Sequence, residues 1–373
     1  MLDFLPSLDK LQLDIVGFLA ILGEGSVLVN APVAALSNFI FLPRLMPAPQ
    51  ALIKPARPDR LSHVVGKAVG AHSGNYKHHV NHIAHLLHNG NSLPAYSVRC
   101  LRITKDKTKP NVTARKTGPL TGLAILGCAM SIALTILSVI YNDGSALTAT
   151  MLLSFLSTVI GFGAKWSLKL TVRKSKREVP AGDVVIEYPQ GAFLVVKCHE
   201  DVARELYWAP EACIYDVGVQ TYRLTSLFGT LMLMFGVIFL ASSSQTLQIC
   251  FAASYLVLNA AYWTVAALPP QWHWDLSSFK VEQEEYLDGE HNDSFTEALW
   301  KSIAITQSIS WVKVAQVAPE TEAWESWLRE AETVALQHPC HMSEKANVMV
   351  FPDWDCQKEL THYLNLNTPE NAV

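Results

Sequence analysis

The sequence reads as an α-helical multi-pass membrane protein: two transmembrane helical hairpins, a small cytosolic α/β insert and a helical cytosolic tail. Three observations predict this. Pro119–Tyr141 and Leu147–Leu168 are long apolar runs separated by Asn142-Asp143-Gly144-Ser145. Leu224–Ala241 and Leu247–Leu268 repeat the arrangement across Ser242-Ser243-Ser244-Gln245. Each run approaches the ~20 residues a helix needs to cross the hydrocarbon layer. Leu120–Ile140, Leu147–Ala164, Leu224–Ala241 and Leu247–Leu268 contain no Asp, Glu, Lys, Arg or His. A helix in lipid satisfies its own backbone, so such segments need nothing further.

The apolar segment before them, Leu13–Leu42, carries Asp14, Glu24, Asn30, Pro32 and Asn38. A fifth span bent at Pro32 is one reading, and an interfacial or re-entrant segment is the other. Glu24 is its notable intramembrane polar candidate, because a carboxylate in lipid marks function. The opening Met-Leu-Asp-Phe-Leu-Pro lacks a basic region, and Asp3, Asp9 and Asp14 are acidic. Neither a cleaved signal peptide nor a transit peptide is expected.

Cationic loops stay in the cytosol. Residues 43–118 hold thirteen Lys/Arg against Asp59 and Asp106, an excess of 13 − 2 = +11. Residues 169–177 add five more bases, whereas the tight turns hold only Asp143. Segments 43–118, 169–223 and 269–373 are therefore expected in the cytosol, of an endoplasmic-reticulum or plasma-membrane protein. Trp166, Trp263, Trp272 and Trp274 fall where amphipathic rings meet the headgroups. The glycosylation patterns at Asn111 and Asn292 are expected to stay unmodified on that side. Seven irregularly spaced cysteines do not suggest a disulfide framework.

Within the 43–118 basic loop, Tyr76–His88 reads as an amphipathic helix. On it His78, His82 and His85 form one stripe, opposite Val80, Ile83 and Leu87. Imidazoles so spaced suit a metal ion, against the plainer reading of a solvated helix at the headgroups. In the 169–223 insert, Val184–Tyr188 and Ala192–Val196 flank Pro189-Gln190-Gly191 as a β-hairpin. Glu200–Trp208 then reads as a short helix. This insert is too small for a large core of its own. The tail from Pro269 holds eighteen acids and six bases, or 6 − 18 = −12. It reads as helices over Phe295–Val314, from Pro319 through Ala331, and over Asp355–Leu364. The basic loop and acidic tail are expected to associate through charge, screened by salt.

Other chemistry is sparse. His273-Trp274-Asp275 offers an acid/base pair or a capped turn at the interface. His338, Cys340, His341 and Cys356 have zinc-type side chains at a spacing that fits no common module. Inside the spans, Ser131, Ser154, Ser157 and Asn259 are polar, and Ser157-x-x-x-Gly161 is a small-xxx-small pattern for close helix approach. The secure spans carry no charge, which disfavours a carrier. Phosphate-loop, nucleophile-elbow and dinucleotide motifs are missing, and nothing points to nucleic acid.

Several stretches stand out together: Gly23-Glu24-Gly25, Ala35-Leu36-Ser37-Asn38-Phe39, Glu205-Leu206-Tyr207, Leu258-Asn259 with Tyr262-Trp263, and His273-Trp274-Asp275-Leu276-Ser277. Ala298-Leu299-Trp300-Lys301, Ala318-Pro319-Glu320-Thr321 and Trp324 with Trp327-Leu328 complete the set. In these stretches the chain resembles a widespread group of uncharacterised fungal multi-pass membrane proteins. The resemblance spans most of the chain outside 43–118. It implies a fungal source and a place in accessory or specialised metabolism, and brings no catalytic residues. The leading expectation is a membrane scaffold whose partners are the lipid bilayer and a cytosolic protein on the acidic tail. A metal-dependent membrane enzyme acting on a lipophilic substrate stands second, and a channel or carrier third.

Overall fold

The computed structural model describes residues 23–366 apart from 55, 107, 110, 171–179, 288–291 and 343–348. The chain divides into two compact units. Residues 1–59, 112–168 and 213–275 form a helical unit; residues 60–111, 169–212 and 276–373 form a sheet unit.

The helical unit is built on helix α3 (Pro119–Ile140), α4 (Gly144–Ala164), α5 (Val219–Ala241) and α6 (Gln245–Ala266). These helices of 22, 21, 23 and 22 residues are long and apolar enough to cross a membrane. At 1.5 Å per residue each spans roughly 33 Å. Their outer faces carry exposed Ile125, Ile132, Ile136, Phe155, Phe228 and Phe235. An apolar belt of that extent on a water-facing surface would drive association. Gly236 lets α5 close on α4, where a Cβ would stand 2.8 Å from Leu153. Asp143 joins the two hairpin turns: Oδ1 accepts from Ala146 N at 2.9 Å and Oδ2 from Ser244 N at 2.7 Å. The Ser244 amide is the main cause holding its carboxyl below the usual carboxylate range. Asp143→Ala removes this helix cap and is expected to cost about 1 kcal/mol, read as a lower unfolding midpoint in detergent.

The described part of Leu13–Leu42 starts as α1 (Glu24–Ala34), an eleven-residue helix, followed by a 3-10 turn at Asn38–Phe41. Eleven residues reach roughly 16 Å, half a bilayer core. Residues 13–22 lie outside the described residues. The tryptophans differ from the expected headgroup belt. Trp263 and Trp272 are exposed, but Trp166 and Trp274 are buried. Trp166 Nε1 donates to Pro32 O at 2.9 Å, so the ring anchors the end of α1.

The sheet unit departs most from expectation. Its centre is a six-stranded sheet in the order β6-β3-β5-β4-β1-β2. The strands are β1 (Val64–Gly70), β2 (Tyr76–Val80), β3 (Val98–Lys105), β4 (Val184–Glu187), β5 (Phe193–Lys197) and β6 (Phe279–Leu287). Three come from the basic 43–118 loop, where the sequence predicts a helix over Tyr76–His88 and no strand, two from the insert and one from the tail. β3 and β5 run parallel, with Cys100 opposite Val195; the other pairs are antiparallel. The insert hairpin is thus the middle of a shared sheet. Both its strands are almost wholly buried, which explains their unbroken apolar runs. The basic loop and the tail do associate, but by a backbone ladder: Val281 faces Ile103 and Glu282 faces Arg102. A ladder is less sensitive to salt than the charge attraction expected.

One face of the sheet is covered by α7 (Phe295–Thr306), against which α8 (Glu322–Gln337) and α9 (Cys356–Leu366) pack. Val69, Val185, Val195, Leu299, Trp311 and Trp327 are core residues there. Trp327 Nε1 donates to Cys356 O at 2.8 Å and Trp311 Nε1 to Thr306 Oγ1 at 3.1 Å. Residues 99, 101, 103 and 105 face the opposite side. There Lys105 Nζ bonds both oxygens of buried Glu205, at 2.5 and 2.6 Å.

Candidate functional site

The helical unit holds its most unusual feature between Leu42 and Met46. Pro43, Pro47 and Pro49 deny this stretch a helix, so its amides need outside partners. Arg44 N reaches Ser157 Oγ at 3.0 Å and Ser154 O at 3.2 Å. Leu45 N reaches Ser131 Oγ at 2.9 Å and Gly127 O at 3.3 Å. Ser157 Oγ and Thr158 Oγ1 return bonds to Leu42 O and Phe41 O. Ser131 and Ser154 stand near the middle of α3 and α4, so the extended chain enters to mid-height of the helices. Leu45 is fully buried with Leu134, Leu153, Leu240 and Leu258. Gly127 and Gly161 make the space: a Cβ on either would lie 2.6 Å from Leu45 O or Ile40 O. The sequence assigned Ser157 and Gly161 to contact between helices. They serve this inserted segment instead.

The insertion carries a guanidinium inward. Arg44 is 6% exposed. Its Nη1 donates to Phe39 O at 2.7 Å and Leu42 O at 3.4 Å, and it is hydrogen-bonded with Tyr262. Its buried Nε has no hydrogen-bond partner. Among the described residues it forms no ion pair. Beside it lies a cavity of about 70 Å³, lined by Ala31, Leu123, Ile160 and Tyr262 among others, with Asn30 at its wall. No carboxylate is among the lining residues. Asn259, a sequence candidate, points its buried Oδ1 at Gly23, where a Cβ would stand only 2.0 Å away, and that oxygen accepts no bond. Glu24 occupies the exposed first turn of α1, where its charge suits the helix N-terminus. Sequence reasoning missed Arg44 because it lies outside the long runs. The signal was an arginine framed by Pro43 and Pro47 directly after Phe39-Ile40-Phe41-Leu42.

In the sheet unit, the predicted single helix over Tyr76–His88 is corrected. Tyr76–Val80 is strand β2, and α2 (His82–His88) starts after it. His78 therefore leaves the stripe, bonding Tyr76 OH through Nδ1 at 3.0 Å. Antiparallel pairing with Val64–Gly70 holds residues 76–80 as an edge strand. His78, His82 and His85 do not converge, and among the described residues no three His, Cys, Asp or Glu side chains are placed to hold a metal. A different cluster forms: Tyr188 OH lies 3.2 Å from Nδ1 of both His85 and His88. A phenol has one proton, so it donates to one imidazole and accepts from the other. His88 stacks on Tyr207 with ring centroids 6.2 Å apart. Burial lowers the pKa of both His85 and His88, furthest for His88. At the start of α2, Glu211 accepts from His82 N and Ile83 N, each at 2.8 Å. Burial outweighs those two bonds and raises its carboxyl to about 7.

The remaining candidates are dispersed. His273 is buried, its pKa lowered by burial, and its carbonyl accepts from Arg115 N at 2.9 Å. Asp275 lies in a two-residue ladder opposite Thr113. The pair thus forms part of a structural corner. Cys340 Sγ contacts Ala304 O at 3.5 Å, and Cys356 sits in the tryptophan core. An open concavity of about 550 Å³ is lined by His72, Arg102, Asp183, Lys197 and Cys198. Burial pushes the Cys198 thiol up to about 12, leaving no thiolate for nucleophilic work. Asn292 Nδ2 is engaged by Tyr96 O at 2.6 Å, so this pattern cannot accept a glycan in the fold.

Comparison with protein-family models, curated proteins and solved structures gives no match. What fold and site define is a class: four helices able to cross a membrane, an arginine-bearing segment inserted among them, and a mixed-sheet α/β unit.

Proposed function

We propose that this chain is a multi-pass membrane protein that acts as a membrane scaffold or accessory protein. The observation that carries this reading is the interleaving of three separate segments into one sheet. Each hairpin returns the chain to the side it left, so 60–111, 169–212 and 276–373 all emerge on one side of the bilayer. There they build a folded unit with its own tryptophan-rich core. The basic flanks support a cytosolic location for that side, in the endoplasmic reticulum or plasma membrane. The acidic tail supplies the surface for a protein partner. A fungal source and an accessory metabolic role rest on the sequence resemblance alone.

Two measurements test it. The chain should stay in the membrane pellet at alkaline pH and be released by detergent; release without detergent defeats the membrane reading. Photo-crosslinkers placed at exposed positions of α8 should yield a discrete protein adduct in native membranes. No adduct from any of several positions defeats the scaffold reading.

A further inference from the structure

We propose that the Arg44 cavity binds the carboxylate head of a long-chain acid. The inference rests on the membrane placement above but not on the scaffold role. A buried guanidinium without a counter-charge is costly in a low-dielectric interior. Arg44 has two carbonyls on Nη1 and Tyr262 beside it, yet its Nε remains buried and unpartnered, and among the described residues no carboxylate lines the adjoining space. The site is therefore one anion short. A carboxylate is the group that matches a guanidinium fork with two parallel bonds.

The cavity selects the rest of the ligand. Its volume of about 70 Å³ beside Arg44 accommodates a carboxylate and the first methylenes. Its walls are chiefly Ala31, Ala34, Leu52, Leu120, Leu123 and Ile160, suited to an alkyl chain. Asn30 is uncharged and is fixed at the wall by one Nδ2–H bond to Ser26 O at 3.0 Å, so Arg44 is the charged group that recognises the head. A long-chain acid at the membrane surface releases its proton to water there, and the resulting carboxylate pairs with the guanidinium while its alkyl chain stays in the apolar cavity.

The test uses the full chain, purified in detergent and reconstituted in nanodiscs, with radiolabelled palmitate as probe. Wild type should bind saturably with one site per chain. Palmitate methyl ester and phosphatidic acid should each compete at least tenfold less well than unlabelled palmitate. Arg44→Gln, which can still donate to Phe39 O, should weaken binding at least tenfold. Ala31→Leu keeps Arg44 but fills the cavity, and should do the same. Unfolding midpoints within a few degrees of wild type identify which variants report on the site. Were Arg44→Gln to misfold, Ala31→Leu and the competition series still decide. Absence of saturable binding, equal competition by the ester or by phosphatidic acid, or full affinity in folded Arg44→Gln or Ala31→Leu would each overturn the proposal. The alkaline-extraction test fails independently, since it reads membrane placement and not palmitate.

Discussion

Gly127→Ala and Gly161→Ala are expected to destabilise the helical unit by about 1–3 kcal/mol each, as overpacking does in a filled core. The added methyl of either meets a backbone carbonyl at 2.6 Å, of Leu45 or Ile40. A flexible side-chain tip would swing away at little cost, but these carbonyls belong to a segment pinned by Ser131, Ser154 and Ser157. Relief of the clash pulls the segment outward. That loosens the Leu45 and Arg44 amide bonds, and an unsatisfied amide is expensive where water is scarce. Gly122 is the control. It lies on the same helix, and a Cβ there meets nothing within 4 Å, so Gly122→Ala should be neutral or mildly stabilising. Thermal unfolding in detergent compares the three. If Gly127→Ala and Gly161→Ala unfold with Gly122→Ala, the inserted segment is not held as described.

The second large effect belongs to Glu211. Glu211→Ala strips the partners from two amides at the start of α2, and a buried donor left unsatisfied costs about 1–3 kcal/mol. With water partly replacing them, the sheet unit should lose about 2–3 kcal/mol. The pH dependence distinguishes Glu211 from the histidines. Its folded carboxyl is raised to about 7, above the ~4.3 of an unfolded glutamate. The folded state therefore binds the proton first, and this group favours folding as pH falls from 7 towards 4.3. His85 and His88 act oppositely. Burial lowers their pKa, so the unfolded chain protonates first. Their contribution is full above about 6.5 and is lost as pH falls towards the folded pKa. Wild type should thus show a shallow slope below pH 6.5. Glu211→Gln should steepen it by up to about 1.4 kcal/mol per pH unit, and His88→Phe should flatten it. Superimposable pH profiles for wild type and Glu211→Gln would sink this account.

The two opposing slopes originate in residues that the sequence did not pair. Tyr188 and His88 are 100 positions apart and meet only in the folded sheet unit, where Tyr188 follows β4 and His88 ends α2. The histidine spacing at 78, 82 and 85 suggested a helix because periodicity registers only what is local. It could not register that Val64–Gly70 would offer residues 76–80 a partner strand. The same limit hid the function of Ser131, Ser154 and Ser157. A hydroxyl in an apolar helix looks alike whether it faces another helix or an inserted chain.

By itself the sequence determined the four long apolar helices, their pairing across short polar turns, the hairpin of β4 and β5, and that the tail holds helices, but not that the tail supplies β6 or that the helix expected over Phe295–Val314 breaks after Thr306. The former follow from composition within 25 neighbouring residues, where hydrophobic length and turn chemistry suffice. Only the tertiary structure decided that three distant segments share one sheet, that Leu42–Met46 enters among the helices, and that Arg44 ends beside an apolar cavity. Those outcomes depend on backbone amides, which are chemically the same at every position except proline. Their partners are selected by what the rest of the fold brings within 3 Å.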